Sequence, residues 1–90
     1  MKDAVIVSTA RTPIGKAYRG AFNDLSGPSL GAAAVSVAVE RAGIDGLEVD
    51  DVIIGCALSQ GSTGGNVARQ IALRSGLPAS VSGMTIDRQC

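Results

Sequence analysis

Ninety residues with eight basic and eight acidic side chains, no histidine and a formal net charge of zero carry no electrostatic footprint for nucleic acid or an anionic membrane. Apolar residues make up 46% of the chain and charged residues 18%, the balance of a globular protein and not of a disordered tail. No apolar run approaches the roughly 18–20 residues of a bilayer span, and the start "MKDAVIVSTARTP" reads as a first strand, not a signal peptide. Cys56 and Cys90 fit neither a disulfide framework nor a zinc spacing, so reduced thiols, a cytoplasmic setting and no metal are the expectation.

The first predicted element is a strand over residues 3–9, "DAVIVST", broken by Pro13 and Gly15 in "RTPIG". The loop "KAYRGAFNDLSG" carries the only aromatics, Tyr18 and Phe22. Ser26 or Ser29 then caps a helix that runs to about Ala42 and closes on Gly43. Leu30, Ala33, Ala34, Val37 and Ala38 mark one apolar face of it, and Val35 and Val39 make the opposite side apolar too. That pattern predicts a helix buried on more than one side.

The continuous apolar run Val52 to Ile54 in "VDDVIIGCAL" suits a strand covered on both faces, as parallel strands usually are. After the Gly-rich "SQGSTGG", Asn66 caps a short helix to about Ser75, stopped by Gly76 and Pro78. The last strand is predicted over Met84 to Asp87, with Val81 as its earliest start. The order βαβαβ predicts an α/β fold with parallel strands, without internal repeat or linker.

Open parallel sheets gather functional groups at the carboxyl ends of their strands. "RTPIG", "SQGSTGGNVAR" and "RQC" occupy such places. If the alternation continues, Cys90 opens the next helix, where unpaired N–H groups and the helix dipole stabilise a thiolate and a backbone N–H can donate to an oxyanion. From spacing alone, a lone cysteine is more often a small buried hydrophobe, and no histidine of this chain is there to take its proton.

"STARTPIGKAYRGAF", "GNVARQIALRSGLP" and "MTIDRQC", in this order and spacing, resemble the N-terminal part of a thiolase, an acetyl-CoA acetyltransferase or 3-ketoacyl-CoA thiolase. The likeness covers essentially the whole chain, and "DRQC" is its most specific motif. It implies a thiolase-like fold, of which residues 1–90 form the N-terminal βαβαβ portion of the first of two similar α/β halves, with later strands and the second half absent. It further implies that Cys90 is the catalytic nucleophile, which takes the acyl group of a 3-ketoacyl-CoA or of acetyl-CoA as a thioester and passes it on. Coenzyme A thioesters are then substrates, with no permanently bound cofactor. The activating histidine, a second cysteine acting as acid and base, an Asn/His oxyanion pair and most CoA contacts belong to later segments of the family's chain. The segment alone is therefore expected to be inactive without the remainder of the chain. The last strand is expected to pair with its twin across a two-fold axis in a homodimer or homotetramer, which removes an exposed edge.

Other motifs have plainer readings. "GSTGG" lacks the P-loop ending and the dinucleotide spacing, so a flexible loop feeding an Asn cap is expected. The resemblance makes Asn66 and Arg69 interface residues or supports of the active site, although Gly65-Asn66-Val67 stands where many relatives carry Gln-Asn-Pro. Arg11 is expected to anchor its loop through its guanidinium, and Cys56 to be inert packing on a buried strand. Asp87 stands where many relatives have Asn; ionised beside Cys90 it would oppose thiolate formation, so it is expected to point away. A ketoacyl-synthase-like condensing enzyme and a non-catalytic α/β fragment remain the alternatives.

Overall fold

Ser26 and Gly43 bracket the first helix of the computed structural model, which describes residues 1–90. Helix α1 spans Gly27–Ala42. Ser26 is extended (φ −71°, ψ 155°) and its hydroxyl accepts the Ser29 N–H at 3.3 Å, while Pro28 sits in the first turn, where an N–H is not needed. At the other end Gly43 adopts φ 67° and its N–H donates to Glu40 O at 3.1 Å. Asp45 then opens a short turn by a reciprocal pair of bonds: Asp45 Oδ1 accepts from Leu47 N, and Asp45 N donates to Glu48 Oε2.

Strand β1 covers Asp51–Gly55, helix α2 Val67–Arg74 and strand β2 Ser82–Ile86. The strands are parallel neighbours in a two-stranded sheet, registered from Asp51 opposite Ser82 to Gly55 opposite Ile86. Helix α2 is the crossover between them and packs on both, and α1 packs on α2. The core is Val52, Ala72, Leu77 and Val81, with Val35, Val39, Val49 and Ile54 packed against it. Each fully buried Val, Leu or Ile here contributes roughly 1.5–3 kcal/mol relative to exposure.

Three expectations change. Residues 3–9 form no ladder: Val5, Ile6 and Val7 are 76%, 87% and 70% exposed, because no strand of this chain hydrogen-bonds to them. β1 is covered on one face only, with Val52 buried and Ile53 55% exposed, since both helices lie on the Val52 side. Within α1 the core-facing stripe is Pro28, Ala32, Val35 and Val39, whereas Ala33, placed on the main apolar face by sequence, is exposed. Spacing alone marked Val35 and Val39 as a second apolar side but left out Pro28 and Ala32, the two residues of α1 that are buried.

Candidate active site

Parallel pairing brings the carboxyl ends of β1 and β2 side by side, and the Cys56 N–H extends the ladder by donating to Ile86 O at 2.9 Å. A cavity of about 290 Å³ opens there, lined by residues 55–57 beyond β1 and residues 86–89 beyond β2. Cys56 is half-buried at its wall, with its thiol donating to Leu58 O at 3.3 Å. Cys56 therefore stands at the wall of the strand-end cavity, half-buried and outside the buried core cluster, where the covering of β1 runs out.

Cys90 follows this wall as an exposed free thiol with φ 47°, outside any helix. Asp87, three residues earlier, accepts a hydrogen bond from Gln89 Nε2 at 3.1 Å, and no hydrogen bond joins it to Cys90.

Asn66 and Arg69 join α2 to β2. Asn66 has φ 54°, a left-handed conformation that Asn tolerates better than most residues. Its Oδ1 accepts from Arg69 N at 3.4 Å and from the Thr85 hydroxyl at 2.8 Å, and its Nδ2 donates to Gly83 O at 3.0 Å. Thr85 Oγ1 in turn accepts the Ala68 N–H at 3.0 Å. The Arg69 guanidinium donates to Val81 O and, at 2.9 Å, to Ala79 O. Sequence reasoning singled out Asn66 and Arg69 but passed over Thr85, whose signal was a hydroxyl-bearing strand residue two positions after a glycine.

The Gly-rich loop is tied down from within. Thr63 Oγ1 lies 2.5 and 2.9 Å from the carbonyls of Leu58 and Gln60, and Gln70 Nε2 donates to Gly64 O and Gly65 O at 2.7 and 3.0 Å. Of the loop's hydroxyls, that of Thr63 turns to the loop's own carbonyls and that of Ser62 accepts the Gly27 N–H of α1 at 3.3 Å, while Gln70 reaches in from α2. Arg11 Nη1 donates to Thr12 O at 3.3 Å, in line with an anchoring role, and Arg41 Nη1 donates to Thr9 O at 3.1 Å across a separate cavity of about 720 Å³. No three His, Cys, Asp or Glu side chains assemble at metal-binding spacing.

The family profile described as "Thiolase, N-terminal domain" matches residues 4–90. The chain belongs to the thiolase family. This decides against the ketoacyl-synthase-like alternative. A 3-ketoacyl-CoA thiolase of Bacillus subtilis (strain 168) is 46% identical over 90 residues, covering 100% of this chain and 23% of that protein. An acetyl-CoA acetyltransferase of Cupriavidus necator is 48% identical over 90 residues, again 100% of this chain and 22% of the relative. Among solved structures, the Acat5 thiolase of Ascaris suum in complex with coenzyme A superposes with a TM-score of 0.88 at 36% identity, over 97% of this chain and 22% of that one. The α/β fold of this thiolase segment is therefore that of the family's N-terminal part. The chain spans less than a quarter of the length of these relatives.

Proposed function

We propose that these residues are the opening of a thiolase, an acyltransferase that cleaves 3-ketoacyl-CoA with coenzyme A or, in reverse, condenses two acetyl-CoA, and that Cys90 is its nucleophile. The observation that carries the reading is the family match running through Cys90, from relatives named acetyl-CoA acetyltransferase and 3-ketoacyl-CoA thiolase at 46–48% identity over 90 residues. In the cleaving direction the Cys90 thiolate attacks the 3-keto carbonyl. The bond between carbons 2 and 3 breaks, its electron pair stays on carbon 2, and protonation there releases acetyl-CoA. The acyl group remains on Cys90 Sγ until the thiol of coenzyme A attacks the thioester, releases the shortened acyl-CoA and returns the thiolate. The proton donors and acceptors for these steps belong to other parts of the family's chain, so the reading includes a remainder of the polypeptide, a role in fatty acid metabolism, a cytoplasmic location and a homodimer or homotetramer.

Peptide mapping after a short incubation of the whole thiolase polypeptide with acetyl-CoA is the test. An acetyl group on the peptide containing Cys90, absent from Cys90→Ala, is expected. Full turnover by Cys90→Ala, or an acyl group held on another residue, overturns the assignment. A 90-residue chain that is the complete protein and takes up no acetyl group supports the non-catalytic alternative instead.

A further inference from the structure

Helix α2 and strand β2 share one closed hydrogen-bond circuit. Of the N–H groups at the start of α2, that of Ala68 donates to Thr85 Oγ1 at 3.0 Å, and that of Arg69 is shared between Asn66 O at 3.0 Å and Asn66 Oδ1 at 3.4 Å. Thr85 spends its own proton on Asn66 Oδ1, and Asn66 Nδ2 closes the loop on Gly83 O. The helix cap is therefore built partly from the strand. A slip of β2 along its axis by even one residue turns Thr85 to the opposite face and breaks the circuit. Gly83 adds a steric stop: a Cβ there would lie 2.5 Å from Arg69 N and 2.6 Å from Arg69 Cα, so the helix start rests directly on the strand backbone. Arg69 fixes the strand's entrance by donating to Ala79 O and Val81 O. From Thr85 the chain runs without another element to Cys90.

We propose that Thr85 and Asn66 are positioning residues for Cys90: their clasp sets the height of β2 against α2 and thereby where the "DRQC" turn delivers the thiol. This rests on the reading of Cys90 as nucleophile. A reacting atom displaced by about 1 Å loses up to roughly a hundredfold in rate, so the effect belongs in kcat more than in KM.

The test uses the whole thiolase polypeptide with Thr85→Val, which keeps the β-branched shape and removes the hydroxyl, Thr85→Ser, which keeps the hydroxyl, and Asn66→Asp. The last keeps the acceptor for Arg69 N–H and loses the donor to Gly83 O, so it loosens the strand while leaving the helix cap. Thr85→Val and Asn66→Asp are expected to lower kcat about ten- to a hundredfold with KM for the acyl-CoA changed less than about twofold, and Thr85→Ser to recover most of kcat. Unchanged kcat in Asn66→Asp or in folded Thr85→Val overturns the positioning role, and so does a loss that Thr85→Ser fails to recover. If Thr85→Val does not fold, Asn66→Asp decides alone. Cys90→Ala run alongside separates the two ideas: an inactive Cys90→Ala with active clasp variants leaves the nucleophile standing and removes the clasp, whereas an active Cys90→Ala removes both.

Discussion

Gly83 and Gly31 both sit where a methyl group meets atoms already in place, yet the two sites differ in what can yield. At Gly83 an added Cβ meets backbone only, at 2.5 Å from Arg69 N and 2.9 Å from Ala68 C, and neither atom moves without shifting α2 off the strand. At Gly31, inside α1, the added Cβ meets the Cδ1 and Cγ1 atoms of Ile71, a side chain that has other rotamers. Alanine also favours the helix interior by up to about 1 kcal/mol over glycine, which offsets part of the crowding. Gly83→Ala is therefore expected to destabilise by about 1–3 kcal/mol, and Gly31→Ala by clearly less. Urea unfolding of the two variants side by side checks the order; equal midpoints contradict the close approach at Gly83. The sequence marked neither glycine, because a contact between residues 83 and 69 is set by how a helix seats on a strand and not by local pattern.

The elements divide by how local their causes are. Ser26, Gly43 and Asn66 were legible as caps because a cap acts within a few residues of itself, and all three stand at the expected helix ends. The parallel relation of β1 and β2 followed from the intervening helix, and β2 begins at Ser82 and ends at Ile86, close to its predicted span. The strand over residues 3–9 was legible in composition but not in outcome: a ladder needs a partner, and the partner is not a property of the segment. The strand-end site was legible in place, through "RQC" and the end of β1, but the half-buried Cys56 at its wall was not, because strand termini are read to within a residue or two and Cys56 lies one position past Gly55. The cap of α1 offers a clean check of the local part. Ser26 Oγ accepts the Ser29 N–H and its replacement by Ala leaves that donor unpaired, so Ser26→Ala is expected to cost about 1 kcal/mol while Ser26→Gly costs only a few tenths. Melting of Ser26→Ala identical to that of the unsubstituted chain would show that the side-chain oxygen contributes nothing.

At the scale of the whole molecule, the accessible surface is 6784 Å², against about 4,900 Å² for a compact monomer of this mass. The excess of roughly 1,900 Å² is more than twice the roughly 800 Å² that one partner buries in a standard protein–protein interface, and the Cα radius of gyration of 13.8 Å likewise exceeds the roughly 12 Å of a compact chain of this length. Much of the open surface is apolar and comes from two places: Val5, Ile6 and Val7 in the extended segment, and Ile53, Met84 and Ile86 on the sheet. The two places differ in their relation to the core. Ile53, Met84 and Ile86 belong to the paired strands, in which Val52 and Ile54 face the core, so they cannot be removed without disturbing the sheet. Residues 1–10 contribute none of the buried residues, and the Arg41 bond to Thr9 O is their one side-chain hydrogen bond to the rest of the chain. Deleting residues 1–10 from the 90-residue chain is therefore expected to leave hydrogen-exchange protection at Val52–Gly55 and Ser82–Ile86 unchanged, since that protection reports local opening of the α2-covered ladder. The same deletion should reduce binding of a hydrophobic dye, because it removes three of the most exposed aliphatic side chains. Loss of protection in both strands on deletion would mean that residues 1–10 hold the sheet together through the backbone, in the manner of a missing central strand, and that the apolar core around Val52 and Val81 is too small to order the ladder by itself.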